Sequence, residues 1–219
     1  MELEEMRAFF TARADIYDAH MLEEVEGCRE AYAELAQLLP KDCETLLDLG
    51  CGTGLELDGL FRLFPNLKVT GVDLTQAMLD KLLEKYPNKA LTLICGDYCA
   101  VPFGQGLFDC ALSVQTMHHF THGQKTALYR KICAALKPDG VYIECDYMVT
   151  EQAEEDFYFA TYARLRKEQR LPDDVSVHCD TPCTIENQIR LLQTAGFKTV
   201  GQQFRKGNTT ILSASKKQR

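Results

Sequence analysis

Three glycines follow an apolar segment, and their spacing is the most chemically informative pattern in the chain. Residues 46–54 read LLDLGCGTG, so that Gly50, Gly52 and Gly54 alternate with other residues after residues 46–49. A buried strand that ends in a turn without Cβ atoms lets a ligand approach the backbone closely. The N–H groups at the start of the next helix then face that ligand. The pattern predicts a binding site for a nucleotide-like ligand.

The position of the third glycine narrows the choice of ligand. The dinucleotide fingerprint is G-x-G-x-x-G, with a pyrophosphate at the helix N-terminus. Here the pattern is D-x-G-x-G-x-G, in which the third glycine comes one residue early and Asp48 ends the strand. A carboxylate there would repel a pyrophosphate but suits a ligand that carries an ammonium and a sulfonium. With this motif the chain resembles the class I S-adenosylmethionine-dependent methyltransferases.

A second acid follows the next predicted strand. Asp73 comes directly after the segment LKVTGV at residues 67–72 and lies nineteen residues beyond Gly54. An acid about twenty residues after a glycine loop can accept hydrogen bonds from the hydroxyls of an adenosine ribose. The resemblance implies the same role, while the alternative is an N-cap of the helix that starts near Thr75.

The resemblance implies further cofactor contacts along the same edge of the sheet. The Gly96-Asp97 pair follows a predicted strand at residues 91–95 and would place a carboxylate against the adenine, although Gly-Asp is also an ordinary turn pair. The backbone around Gly50 and Gly52 would hold the methionine part. The whole expected set comprises Asp48, Gly50, Cys51, Gly52, Asp73, Leu74, Asp97, Tyr98 and Gln115.

Three residues are candidates for catalysis. His118 and His119 follow the predicted fourth strand at residues 108–114, and a histidine with a pKa near neutrality can take a proton from an attacking nucleophile. Because His-His-apolar triplets occur in related methyltransferases of diverse chemistry, lining the pocket is the alternative role. Tyr17 lies in the segment ARADIYD, where related enzymes place a tyrosine over the cofactor; simple packing is its alternative.

Composition limits the classes of partner. The chain has 219 residues, 46% of them hydrophobic, and a net charge of −8. One domain with a small cap fits this length, and the negative charge disfavours a nucleic acid substrate. No run of about eighteen apolar residues predicts a membrane span, and the acidic N-terminus has no signal pattern, so a cytoplasmic protein is expected. The expected partner is a small-molecule acceptor, and the oligomeric state stays open.

The ten cysteines contain no C-x-x-C pair. Most lie within apolar patterns, where a free thiol acts as a small hydrophobic residue in a reducing compartment. Zinc at His178, Cys179 and Cys183 is disfavoured because no fourth ligand lies nearby in the sequence. No metal site is therefore predicted.

The hydrophobic patterning predicts an α/β fold. It indicates a doubly wound, mostly parallel seven-stranded sheet of the Rossmann-like methyltransferase type, with a C-terminal antiparallel hairpin at residues 197–215 and a helical cap. In the cap, one amphipathic helix is predicted from Met21 to Pro40. We expect a single domain at 1–219, with the cap at 1–40 and a helical or loop insertion at 148–183 that forms a lid over the acceptor pocket.

The predicted function is S-adenosylmethionine-dependent transfer of a methyl group to a small-molecule acceptor by in-line displacement. Two alternatives stay open. A non-catalytic S-adenosylmethionine-binding regulatory protein would result if the 148–183 insertion blocked the acceptor pocket. An NAD-dependent oxidoreductase is the other alternative, and the early third glycine and the C-terminal hairpin both count against it.

Overall fold

A seven-stranded sheet lies at the centre of the computed structural model, which describes residues 2–172 and 175–217. Both ends of the predicted domain and positions 173–174 of the predicted insertion lie outside the described residues. The strands are β1 (Glu4–Glu5), β2 (Thr45–Leu49), β3 (Lys68–Asp73), β4 (Leu91–Cys95), β5 (Phe108–Val114), β6 (Leu136–Tyr147), β7 (Val177–His178), β8 (Thr199–Lys206) and β9 (Thr209–Ser215). The helices are α1 (Met6–Arg13), α2 (Tyr17–Glu23), α3 (Cys28–Leu38), α4 (Leu57–Leu63), α5 (Gln76–Lys85), α6 (His122–Ala135), α7 (Gln152–Glu168) and α8 (Ile185–Thr194).

The sheet has the strand order β4-β3-β2-β5-β6-β9-β8. Strands β2 to β6 pair in parallel, whereas β9 is antiparallel to both of its neighbours. The prediction of a doubly wound, mostly parallel sheet with a closing hairpin is confirmed. Because β2 to β6 run in one direction, their carboxyl ends meet at one edge, where ligands of such sheets bind.

Apolar side chains cover both faces of this sheet, as expected for strands buried on two sides. Helices α3, α4 and α5 supply Leu35, Leu60 and Leu82 to one core. Helices α6 and α8 supply Tyr129 and Leu192 to the other. These two layers fix the strands, and therefore the loops at their carboxyl ends.

The N-terminal cap differs from its prediction. The single helix expected from Met21 to Pro40 is wrong, because α2 ends at Glu23 and α3 begins only at Cys28. Gly27 separates them with a φ of +82°, and a Cβ atom there would lie 2.7 Å from the backbone oxygen of Lys206. The close approach of β8 thus requires glycine and a chain reversal that the amphipathic pattern does not reveal.

A second, two-stranded sheet joins distant parts of the chain. β1 pairs antiparallel with β7, so that Glu4 lies opposite His178. This pairing holds the N-terminal cap against the segment 175–183, at the carboxyl edge of the main sheet. Within residues 2–172 and 175–217, every helix is either too short or too polar to cross a membrane.

Candidate functional site

The glycine turn lies at the carboxyl end of β2, between β3 and β5. The backbone N–H of Gly50 donates to the Val72 carbonyl at 2.8 Å, and its φ is +65°. A Cβ atom at Gly50 would lie 2.7 Å from Oγ1 of Thr116. At Gly52 the nearest atom to such a Cβ is a ring carbon of Tyr17, 3.8 Å away, so the glycine leaves open space below that ring.

Asp73 holds the glycine turn and the start of α5 together. One carboxylate oxygen accepts from the backbone N–H of Gly52 at 2.9 Å, and the other accepts from the N–H and the hydroxyl of Thr75, each at 2.9 Å. Burial raises the pKa of Asp73, and these hydrogen bonds oppose that change. Thr75 is itself the N-cap of α5. The Asp73 carboxylate therefore faces the glycine turn from the neighbouring strand end.

A small cavity of about 50 Å³ lies between the glycine turn and Asp73. Leu74, Tyr98 and Gln115 also line it, and the Tyr98 hydroxyl bonds to Oγ1 of Thr116 at 2.7 Å. The cap covers it with three side chains, those of Met6, Phe10 and Tyr17. Ligand pockets usually enclose about 300–1,000 Å³, so a nucleoside can enter this cleft only if the cap side chains move.

Asp97 lies next to this cleft but outside its small cavity. It lines an adjoining cavity of about 290 Å³, and Met6 and His119 line both. The Asp97 carboxylate accepts from the backbone N–H of Cys99 at 2.7 Å, as in an ordinary Asx turn. The side chain is exposed, so that hydrogen bond leaves its other oxygen accessible to a ligand.

Two of the expected cofactor residues have buried side chains that do not line the small cavity. Asp48 is buried beneath the glycine turn, and burial together with the neighbouring Glu56 raises its pKa. Burial likewise raises the pKa of Glu56 to about 7. Cys51 is also buried, and its sulfur lies so close to Gly71 that a Cβ there would meet it at 2.7 Å. Cys51 can therefore face the cleft only with its backbone.

A larger cavity of about 580 Å³ adjoins the cleft. Its walls come from α1, α2, the end of β6 and the segment 175–183. Residues 115–120 after β5, which we call the rim, complete them. Lining residues shared with the small cavity are Phe10, Tyr17, Gln115 and His119. Its charged and aromatic lining also includes Arg13, Glu24, Glu26, His118, Tyr147, His178 and Asp180.

The pKa values of the two histidines on the rim are shifted in opposite directions. The His118 Nδ1 atom bonds to the Asp146 carboxylate at 2.5 Å. Burial lowers the pKa of His118, but the Asp146 and Asp180 carboxylates outweigh it and raise that pKa overall. For His119, burial and the nearby His118 and His178 rings lower the pKa well below its usual value. His119 is therefore neutral near pH 7.

Tyr17 lies at the boundary between the two cavities. Its ring is near Gly52 on one side and Phe10 on the other, with a centroid distance of 6.3 Å to Phe10. Burial and the acids Glu56 and Asp73 raise its pKa, so the hydroxyl stays protonated. Gln115 faces the same boundary with a φ of +50°, and its amide donates to Oγ1 of Thr209 at 3.3 Å.

Sequence reasoning missed several residues of this site. Glu56 follows the glycine turn directly, so its proximity to Asp48 could have been inferred from the spacing. Phe10 and Asp180 carry no such signal, because they reach the site through the β1–β7 pairing of distant segments. Their positions depend on the tertiary structure alone.

Comparisons with known proteins point to methyltransferases. Residues 46–140 match the family model described as a methyltransferase domain. The malonyl-[acyl-carrier protein] O-methyltransferase of Priestia megaterium is 28% identical over 131 residues, which cover 60% of this chain and 47% of that protein.

Residues 46–140 therefore resemble the methyltransferase domains of S-adenosylmethionine-dependent enzymes.

Two further proteins show how far this resemblance extends. The carboxy-S-adenosyl-L-methionine synthase of Campylobacter concisus is 28% identical over 189 residues, covering 80% of this chain and 77% of that one. Human N-acetylserotonin methyltransferase, solved with S-adenosylmethionine, shares the fold at 17% identity with a TM-score of 0.64, over 95% of this chain and 55% of that one. The chain spans less than half the length of the first curated relatives it matches.

The cofactor that this resemblance implies is S-adenosylmethionine. The cleft fits it: Gly52 leaves room where a Cβ atom would intrude, and Asp73 presents a carboxylate at the next strand end. The acidic and apolar lining suits a cationic ligand with an adenosyl group, not a pyrophosphate.

Proposed function

We propose that this protein transfers the methyl group of S-adenosylmethionine to a small-molecule acceptor in the cavity of about 580 Å³. One observation carries the proposal: this cavity and the cofactor cleft have the side chains of Phe10, Tyr17, Gln115 and His119 in common. A ligand in the cleft and one in the cavity would therefore meet across these side chains. The cavity volume lies within the range of small-molecule sites.

Methyl transfer requires mainly that the acceptor be aligned with the carbon–sulfur bond of the cofactor. When bound, S-adenosylmethionine supplies a methyl group on a cationic sulfur; the acceptor forms a bond to that carbon while the carbon–sulfur bond breaks and its electron pair stays on sulfur. Holding two reactants in line can lower a barrier by about 7–11 kcal/mol. The protein contributes by positioning both ligands and excluding water.

Each group at the boundary has a defined part in this proposal. The turn around Gly50 and Gly52 holds the methionine part, and Asp73 binds the ribose hydroxyls. Phe10 and Tyr17 cover the cleft and exclude water, and the rim histidines face the acceptor.

The decisive experiment measures S-adenosylhomocysteine released by the purified chain with S-adenosylmethionine and a panel of acceptors. The panel contains hydroxyl, carboxyl, amine and thiol compounds, with malonyl-acyl carrier protein as the macromolecular member. We expect release that depends on one class of small molecule. Release with no member of this panel, despite tight cofactor binding, would contradict the proposal.

A regulatory role is the second candidate, and the narrow cleft is the observation that favours it. With about 50 Å³ between the glycine turn and the cap, ligand binding must displace cap side chains, as in a protein that reports cofactor levels by changing shape. Calorimetric binding of S-adenosylmethionine with no turnover in the acceptor panel would support this role. Binding of NAD instead would support an oxidoreductase.

A further inference from the structure

We propose that His118, His119 and Asp180 bind a divalent transition metal ion at the wall of the acceptor cavity. Nε2 of His118 and Nδ1 of His119 both face one carboxylate oxygen of Asp180, at 3.7 Å and 3.5 Å. One ligand atom from each residue lies within 4.8 Å of the others. Two imidazoles and a carboxylate form a donor set typical of catalytic zinc and non-haem iron sites.

The distances fit an ion better than they fit hydrogen bonds. Hydrogen bonds between nitrogen and oxygen are about 2.7–3.2 Å long, shorter than both contacts to Asp180. Ligands about 2.0–2.2 Å from a tetrahedral zinc ion lie about 3.4 Å apart. The observed separations of 3.5 Å and 3.7 Å are close to that value. The Asp180 oxygen is thus separated from each imidazole nitrogen by about the distance expected between two ligands of one ion.

His119 supplies the independent observation. Its Nδ1 atom is buried, with the residue 6% exposed, and has no hydrogen-bond partner among the described residues. An unpaired buried polar atom costs about 1–3 kcal/mol, so such atoms are usually satisfied. Because this nitrogen faces a carboxylate oxygen at 3.5 Å, a cation between the two would remove the cost.

Asp146 supports the proposed ligand His118 from behind. Its carboxylate lies 2.5 Å from Nδ1 of His118, which places a proton on that nitrogen and leaves Nε2 directed at Asp180. Carboxylate–histidine–metal arrangements of this kind orient the ring and raise the basicity of the ligand. A metal ion would replace the proton that a charged His118 otherwise carries on Nε2.

Backbone contacts hold Asp180 against the histidines. The neighbouring Thr181 donates from its N–H to the His118 carbonyl at 2.5 Å, and its hydroxyl lies 3.0 Å from the His118 and Phe120 carbonyls. Thr181 is fully buried. The segment 175–183 is therefore fixed to the rim, and the three ligand atoms are positioned in advance.

The electrostatic surroundings favour a cation. Glu24 and Glu26 line the same cavity, and Arg13 is the only arginine or lysine among the described residues that line it. The Arg13 guanidinium lies over the Phe9 ring, 3.6 Å from its centre, and 3.4 Å from Glu4. Lys125 is buried nearby and its charge lowers the pKa of both histidines, but its ammonium donates to the Thr181 carbonyl at 3.1 Å. Both basic side chains are thus already engaged by other groups.

A second cluster of potential ligands provides a contrast. His122, Glu155 and Cys183 also come together, but their atoms are already paired. Glu155 accepts from His122 and from Asn187, at 2.8 Å and 2.9 Å, and Lys125 places its ammonium 3.0 Å from the Cys183 sulfur. That cluster contains its own cation, so only the rim cluster needs one.

Metal binding to the full chain tests this inference directly, without reference to methyl transfer. After removal of metals with a chelator, the protein is titrated with Zn²⁺ by calorimetry and with Co²⁺ by visible absorption. We expect one ion per chain and a Co²⁺ spectrum without a thiolate charge-transfer band. Failure to bind either ion, or a thiolate band that assigns it to cysteines, would overturn the proposal.

Matched variants locate the site. Asp180→Asn and His119→Gln should weaken binding more strongly than Asp146→Asn, for which about a 10- to 100-fold loss is expected. Asp42→Asn, at an exposed residue that does not line this cavity, should bind like the wild type. Wild-type affinity in Asp180→Asn would contradict the assignment. The Asp180 side chain is 36% exposed, so this variant decides the matter even if His119→Gln fails to fold.

Discussion

The floor and the cover of the cofactor cleft are built in different ways. We define the floor as the glycine turn 50–54 with the strand ends at Asp73 and Asp97, and the cover as α1, α2 and the segment 175–183. Backbone hydrogen bonds between neighbouring parallel strands fix the floor. The cover depends on side-chain packing and on two residue pairs between β1 and β7. The floor should therefore control stability and cofactor affinity, and the cover should control ligand exchange.

The largest loss of stability is expected when alanine replaces Gly54 in the floor. Its φ is +72°, and an added Cβ would lie 3.0 Å from Leu82 and 3.2 Å from Tyr86. Left-handed backbone costs a non-glycine residue about 1–3 kcal/mol, and overpacking adds about 1–3 kcal/mol. Gly54→Ala should lower the free energy of unfolding by at least about 2 kcal/mol in urea denaturation.

Gly123→Ala is the matched control for that variant. Gly123 lies within α6 and has open space around it, so alanine there should leave stability unchanged or increase it by up to about 1 kcal/mol. Equal stability of the two variants would show that the floor is not the rigid part of the site.

Asp73 tests cofactor binding by the floor. Asp73→Asn removes a charge from hydrogen bonds that are worth about 1.5–3 kcal/mol each. We expect S-adenosylmethionine affinity to fall about 10- to 150-fold in calorimetry. Asp42→Asn, at an exposed residue outside the cleft, should bind normally. An unchanged cofactor affinity in Asp73→Asn would contradict the proposal that Asp73 binds the ribose hydroxyls.

The buried acids beneath the floor predict a pH dependence of stability. Burial raises the pKa of Glu56 to about 7, above its value in the unfolded chain. The stabilisation is therefore complete below about pH 4.3 and is lost as the pH rises through about 7. The free energy of unfolding should fall by about 1–3 kcal/mol between about pH 5 and pH 8.

Chemical denaturation at several pH values measures this slope. Glu56→Gln should flatten it, because the amide cannot ionise in the core. Glu34→Gln changes an exposed acid of α3 and should leave the slope as in the wild type. A wild-type slope in Glu56→Gln would assign the effect to other buried acids.

The smallest effect is expected from Phe10→Ala in the cover, and it concerns the rate of ligand dissociation. Phe10 packs edge-on against Tyr17 and His119, with ring centroids 6.3 Å and 5.9 Å away. Such aromatic pairs contribute about 0.5–1.5 kcal/mol, so Phe10→Ala should speed dissociation of S-adenosylhomocysteine about 2- to 12-fold. Stopped-flow fluorescence measures this rate. Phe157→Ala, at a ring 66% exposed on α7, should leave it unchanged.

Equal dissociation rates in Phe10→Ala and the wild type would contradict the division between floor and cover. The same outcome would show that the narrow cleft opens without separating these rings. The two proposals above are independent of this result, since one rests on turnover and the other on metal binding.

The two regions also differ in how far they could be predicted. Strand β4 at Leu91–Cys95 and β5 at Phe108–Val114 have their predicted bounds, because continuous apolar segments between turn residues are local signals. The cap prediction failed at Gly27, where contact with Lys206 interrupts a pattern that is amphipathic on both sides. The 148–183 lid stays a prediction, although His178 and Asp180 line the larger cavity.

The sequence alone determined the strands of the main sheet, the glycine turn and the acid at the end of the second of those strands. These features follow from spacing along the chain, because parallel strands bring their carboxyl ends to one edge. Only the tertiary structure decided that the Asp48 side chain is buried, that Phe10 covers the cleft, and that Asp180 meets the two rim histidines. Those positions depend on contacts between residues more than sixty apart, for which no local pattern exists.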